Sequence, residues 1–136
     1  DVIVGFPGET ENDFELTRSA FSEVAFEMAF IFKYSERSGT SAVGLNNHVP
    51  KEIMEARNQN LLSLLEKQSL DSNRSSIGEH YEILVEGRAR RGENMFMGRT
   101  RCNRKVIFKG DEKEIGRMIG VKIINSSSTT LTGEKN

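Results

Sequence analysis

Three consecutive β-branched residues, Val2, Ile3 and Val4, run directly into the turn GFPG at residues 5–8. An apolar run without alternation is the pattern of a strand buried on both faces of a parallel sheet, and the first element is expected to be one. Gly5 and Gly8 admit positive φ and close approach by a ligand, Pro7 stiffens the turn, and Thr10 with Asp13 has the spacing of a helix N-cap and its partner. Phe14, Thr17, Phe21 and Val24 then recur at helical spacing, with Glu11 and Asp13 in the first turn, where the helix dipole favours anions. Residues 26–34, FEMAFIFKY, predict a second strand, and a polar loop containing Gly39 follows over 35–41. Strand, helix, strand in that order points to a parallel sheet or barrel. A strand, a glycine turn and a helix N-terminus also form the edge at which such folds hold ligands; the plainer alternative is an ordinary strand-to-helix connection. Because the strand opens at residue 1, the chain is expected to begin inside a fold.

Pro50 precedes a long helix in which Ile53, Leu61, Leu64 and Leu65 share one face. The pattern fades at residues 71–76, DSNRSS, which read as a linker or helix end. Beyond Gly78 the texture changes to short apolar runs and glycine turns. Residues 81–85, 95–98, 105–108 and 118–124 are strand candidates, and 128–133 would close the set. Five short strands in so few residues suggest a small closed or half-closed barrel of the oligonucleotide-binding type. The expected division is residues 1–76, α/β, and residues 77–136, all-β.

Composition narrows the function. At 136 residues with 36% hydrophobic content, the chain can form one ordinary domain or two small ones. No stretch approaches the roughly 18–20 apolar residues of a membrane span and no signal peptide opens the chain, so a cytoplasmic protein without membrane contacts is expected, and a monomer is the expected state. The single cysteine, Cys102, excludes an internal disulfide and any thiolate-bound cluster built by this chain alone. The net charge of −1 conceals an asymmetry, because residues 1–79 carry −6 and residues 80–136 carry +5. Arg88, Arg90, Arg91, Arg99, Arg101, Arg104, Lys105 and Lys109 have only Glu93 as an acidic residue between them. Such a run is either a solvated face or a nucleic-acid surface, and a basic β domain joined to an acidic one points to RNA. The basic residues gather on the second and third barrel strands, where barrels of this type meet nucleic acid. Phe96 is either a platform for a base or a core ring. His48 and His80 are isolated and take no role, and Cys102 reads as an incidental thiol.

Two motifs joined in this order carry a resemblance. DVIVGFPGE at residues 1–9 is similar to the strand-five motif D-x-I-x-G-F-P-G-E of the radical-SAM methylthiotransferases, and YSERSGT at residues 34–40 to their Y-S-x-R-x-G-T signature. Gly87 with Gly98, Arg99, Thr100, Asn103 and Arg104 resembles the pattern of the TRAM domain appended to those enzymes. The resemblance covers essentially the whole chain and is closer to the branch that acts on tRNA than to the branch that modifies a ribosomal protein.

The resemblance implies the C-terminal part of a partial (βα) radical-SAM barrel followed by a five-stranded TRAM barrel. It implies an enzyme that adds a methylthio group to an adenosine, commonly isopentenylated, beside the tRNA anticodon, using S-adenosylmethionine and two 4Fe-4S clusters. The cysteines for both clusters are absent, so this chain would hold no metal and no catalytic residue, would be inactive alone, and would need the N-terminal part of the same polypeptide. Val2, Ile3, Gly5 and Phe6 would wall the adenosyl group, which needs an apolar, water-excluding surface. Gly8 would present backbone N–H groups, and Glu9 would either cap the helix or accept from a ribose hydroxyl. Arg37 would pair with the cofactor or an RNA phosphate, or else form a structural salt bridge. Arg88, Arg90, Arg91, Phe96, Arg99, Arg101, Arg104 and Lys105 would meet the anticodon arm. The alternatives are the ribosomal-protein-modifying branch, a noncatalytic RNA-binding module, and a nucleotide-binding α/β domain using the GFPGE turn, which lacks P-loop spacing.

Overall fold

The computed structural model describes residues 1–135 and divides the chain into two compact units, Asp1–Gln68 and a second beginning at Ser69. In the first, β1 (Val2–Val4) pairs in parallel with β2 (Ile31–Lys33), joined by α1 (Glu11–Val24). Thr10 caps α1 with a full capping box: its hydroxyl accepts from the Asp13 N–H, and the Asp13 carboxylate accepts from the Thr10 N–H. Helix α2 (Lys51–Ser75) begins after Pro50, and Val4, Phe14, Phe21 and Leu61 form the core of this unit.

Several expectations change here. β1 is covered on one face only, because a two-stranded sheet packs helices against Val2, Val4 and Ile31 and leaves Ile3 56% exposed. The second strand is three residues rather than nine. Val24 and Ile53 are exposed rather than buried, since α1 and α2 each pack through a narrower stripe than their periodicity suggested. Helix α2 runs through the DSNRSS segment to Ser75, so that segment is a helix end and not a linker.

In the second unit, β3 (His80–Arg88), β4 (Met95–Thr100), β5 (Lys105–Lys109), β6 (Met118–Ser126) and β7 (Leu131–Lys135) close a barrel in the order β3-β4-β5-β7-β6. All neighbours are antiparallel except β5 and β7. Alternate residues point inward, and Ile83, Val85, Phe96, Val106, Phe108, Val121, Ile123 and Leu131 fill the interior. A Cβ on Gly98 would stand 2.7 Å from the Leu84 carbonyl oxygen, so this strand position admits no side chain. Irregularities in β3 between Val85 and Gly87, and in β6 between Ile123 and Asn125, supply the curvature that closure needs. The end of α2 belongs to this unit: the buried Asn73 amide donates to the Ser127 carbonyl at 2.8 Å.

Candidate nucleic-acid interface

The turn joining β4 to β5 concentrates cations. Thr100 N–H donates to the Arg104 carbonyl and its hydroxyl accepts from the Arg104 N–H, while Asn103 takes φ 64°, closing a tight hairpin with a left-handed residue of the type that tolerates it. The register places Arg99 directly opposite Lys105. Like charges opposite one another on a sheet are destabilising, and the fold compensates in part. Glu86 pairs with Arg99 at 3.2 Å, and the Arg99 guanidinium also donates to the Asn103 carbonyl and side-chain oxygens. Arg104 donates to the hydroxyls of Ser76 at 2.6 Å and Ser72 at 3.1 Å. Arg101 is exposed and Lys105 half-buried, and neither has an ion-pair partner among the described residues.

The remaining expected RNA contacts lie elsewhere. Arg88 ends β3, and Arg90 and Arg91 sit in the β3–β4 loop, at the opposite end of β4 from the hairpin and roughly 17 Å away at about 3.3 Å per strand residue. The seven basic residues therefore form two groups, because an antiparallel strand sends its two flanking turns to opposite ends of the barrel. Arg88 is paired with Glu112, at 2.6 Å. Phe96 is a core ring, 1% exposed and packed on Phe108, so it presents no face for a base. Its place in an alternating strand, inward with Gly98 and Thr100, was the available signal for the core reading.

In the first unit, the turn after β1 satisfies its own polar groups. The Glu9 carboxylate accepts from the Gly5 N–H at 2.7 Å and from Arg57 at 2.7 Å, and the Gly8 N–H donates to the Asn47 carbonyl. Glu9 therefore braces the turn. Gly5, at φ 75°, is required by packing, since a Cβ there would stand 2.1 Å from Met54 Cγ. Ile3 and Phe6 are exposed, with Phe6 edge-on to Tyr34 at 5.3 Å, whereas Val2 packs against the core. Arg37 is exposed and forms no ion pair among the described residues. Arg57, 7% exposed in its side chain, is the functional-looking residue that sequence reading missed. Its partners lie 46 and 48 residues away, and helical periodicity alone does not identify them.

Residues 74–135 match the TRAM domain. Over 135 residues the chain is 45% identical to the tRNA-2-methylthio-N(6)-dimethylallyladenosine synthase of Clostridium botulinum strain Hall, covering 99% of this chain and 30% of that protein. It is 46% identical over 134 residues to the synthase so named in Opitutus terrae, covering 98% of this chain and 28% of that protein, and 42% identical over 133 residues to that of Carboxydothermus hydrogenoformans. The chain thus spans about 30% of the length of the curated relatives it matches. With a match to the TRAM domain at residues 74–135 and this identity over nearly its whole length, the chain is similar to a part, about 30%, of the tRNA-2-methylthio-N(6)-dimethylallyladenosine synthases.

Proposed function

We propose that the chain is the C-terminal part of a cytoplasmic, monomeric radical-SAM enzyme that adds a methylthio group to an isopentenylated adenosine beside the tRNA anticodon, with the barrel gripping the anticodon arm. The observation that carries the RNA role is the β4–β5 hairpin, where Arg99 faces Lys105 across the ladder and Arg101 and Arg104 flank the turn. Repulsion of that kind costs stability unless a polyanion answers it. Because phosphate contacts position a strand without reading it, the hairpin supplies affinity and leaves the choice of base to other surfaces. The relatives' names favour tRNA over a ribosomal protein as the substrate. On this reading residues 77–136 are the RNA module and residues 1–76 contribute to a partial (βα) barrel, whose inner face would be the exposed side of β1 and β2 carrying Ile3 and Phe32.

S-adenosylmethionine and two iron-sulfur clusters would supply the radical chemistry when bound. The residues present fit one side of the adenosyl group: Ile3 and Phe6 offer an exposed apolar surface, and Gly8 borders open space. The amides of Gly5 and Gly8 and the Glu9 carboxylate already have partners within this unit, so apart from Arg37 the hydrogen bonds to the cofactor would come from the rest of the polypeptide, as would the cluster thiolates. Arg37 is the cation left to approach the cofactor or an RNA phosphate. What this chain does in catalysis is exclude water and orient its neighbours.

The RNA role is tested by titrating a labelled anticodon stem-loop at two salt concentrations. Arg101→Ala and Lys105→Ala should weaken binding to different tRNA stem-loops about equally, each lowering the salt slope by roughly 0.7–0.9. Binding that ignores salt and survives both substitutions would reject the role.

A further inference from the structure

We propose that the bowl at the other end of β4 is a subsite for one unpaired nucleotide, whose base stacks on the guanidinium of Arg88; this rests on the reading that the barrel meets RNA. The bowl has a volume of about 370 Å³ and is lined by Arg88, Asn94, Phe96, Lys109, Asp111 and Glu112 around Gly110. That volume is near the lower end of the roughly 300–1,000 Å³ of small-molecule sites.

Arg88 is not a free cation. Its Nε and Nη2 donate to Glu112 Oε1 at 2.8 and 2.6 Å, so its charge is answered within the fold. Its Cζ lies over the Phe96 ring, 5.4 Å from the centroid, while the side chain as a whole is 58% exposed. The guanidinium is therefore held over a buried aromatic with its Nε edge on a carboxylate, and more than half of the side chain stays open to solvent. Such a fixed planar group loses little freedom on binding and suits an unstacked base, which RNA readers place on arginine planes as well as on aromatic rings.

The rest of the bowl has matching chemistry. Gly110 forms a floor that admits no side chain, since a Cβ there would lie 2.6 Å from Glu114 Oε2 and 2.7 Å from Phe108 Cε2. The Gly110 N–H donates to the Asn94 carbonyl at 3.0 Å and fixes Asn94, at φ 56°, on the rim. The Asn94 side-chain amide makes no hydrogen bond among the described residues, and it carries both a donor and an acceptor for a base edge. Lys109 is exposed without an ion pair among the described residues and can answer one phosphate. A flat surface, a two-way amide and a single cation suit a nucleotide better than a bare anion.

The test places 2-aminopurine in turn at each unpaired position of an anticodon stem-loop and titrates the chain, Arg88→Lys and Asn94→Gly, with Arg101→Ala/Lys105→Ala as the control. One position should change fluorescence with the unsubstituted chain and not with Arg88→Lys. Arg88→Lys should weaken binding about fivefold to 150-fold, the roughly 1–3 kcal/mol of one stacked base, and leave the salt slope unchanged. An abasic residue at the same position should abolish that difference. Asn94→Gly, which suits the positive φ, should retain the fluorescence change and lose preference among bases at that position. If the stem-loop binds through Arg101 and Lys105 but no position distinguishes Arg88→Lys, the subsite is wrong and the RNA reading stands. If the chain binds no stem-loop at either salt, both fall. Should a melting curve show Arg88→Lys unfolded, the fluorescence of the unsubstituted chain and the base preference of Asn94→Gly decide, and absence of both overturns the subsite.

Discussion

Arg57 donates to the Glu9 carboxylate and carbonyl and to the Glu11 carboxylate, and its guanidinium lies 5.4 Å from the centre of the Phe14 ring. Glu9 is nearly as buried, while Glu11 is open to water. Removing one member of a buried pair strands the other, at about 3–5 kcal/mol, whereas an exposed partner is worth about 1 kcal/mol or less. Urea unfolding should therefore show Arg57→Ala losing about 3 kcal/mol and Glu11→Ala little; equal losses would mean that the pair is not the bracing contact. At Gly5 two costs combine, a left-handed backbone and a collision with Met54. Gly5→Ala should cost about 2–3 kcal/mol, and adding Met54→Ala should recover the steric part, so the double-mutant cycle should give coupling well outside error.

At the scale of elements, the β4–β5 hairpin opposes stability to binding. Lys105→Glu would set an opposite charge across from Arg99, and should raise the melting temperature of the barrel by the equivalent of a few tenths to about 1 kcal/mol while weakening stem-loop binding. A substitution that lowered both would show Lys105 to be a packing residue. The acidic 3₁₀ turn at Glu112–Glu114 gives a pH dependence. A hydrogen bond from Lys135, and then one from the Asp111 N–H, hold the Glu114 carboxyl below its ordinary value near 4.5. Because the folded state prefers the ionised form, the contribution is present above that ordinary value and is lost as pH falls through the lower folded one. Melting curves across acid pH should decline in that window, and Glu114→Gln should flatten the decline; an unchanged profile would remove Glu114 from the account.

For the whole molecule, the two units differ in what they leave uncovered. The barrel buries an apolar interior by closing on itself, with Leu84, Met118 and Ile124 among those left on its outside, whereas the two-stranded sheet leaves Ile3, Phe30 and Phe32 exposed together, the two phenylalanine rings stacked at 6.4 Å. Apolar patches of this kind mark surfaces made for a neighbour. The isolated chain should bind an apolar dye, and Ile3→Ser/Phe32→Ser should reduce that binding without moving the barrel's melting transition. Dye binding that persisted would place the exposed surface elsewhere. Limited proteolysis should trim toward the barrel, because an incomplete core offsets less chain entropy; survival of the N-terminal unit as the resistant core would reverse that ranking.

Local pattern was enough for what depends on neighbours in sequence. The Thr10 cap, the first helix, the strand before it and the five barrel strands follow from periodicity, turn residues and capping chemistry, each set within a few residues, while the strand after that helix was placed but read six residues too long. The motifs that carried the resemblance to the methylthiotransferases were local in the same sense. What depends on pairing between distant segments was decided by the tertiary structure. Which face of β1 is covered turns on how many strands share the sheet, and the end of α2 is tied to the barrel by the Asn73 amide on the Ser127 carbonyl. The basic residues, contiguous on paper, separate because the turns at the two ends of β4 lie at opposite ends of the barrel. Register also chose the role of each charge, pairing Arg88 with Glu112 and Arg99 with Glu86 while leaving Arg101 without an ion-pair partner among the described residues. A sequence carries the charges, but only the fold sets the distances between them, and Coulomb and hydrogen-bond energies depend on distance.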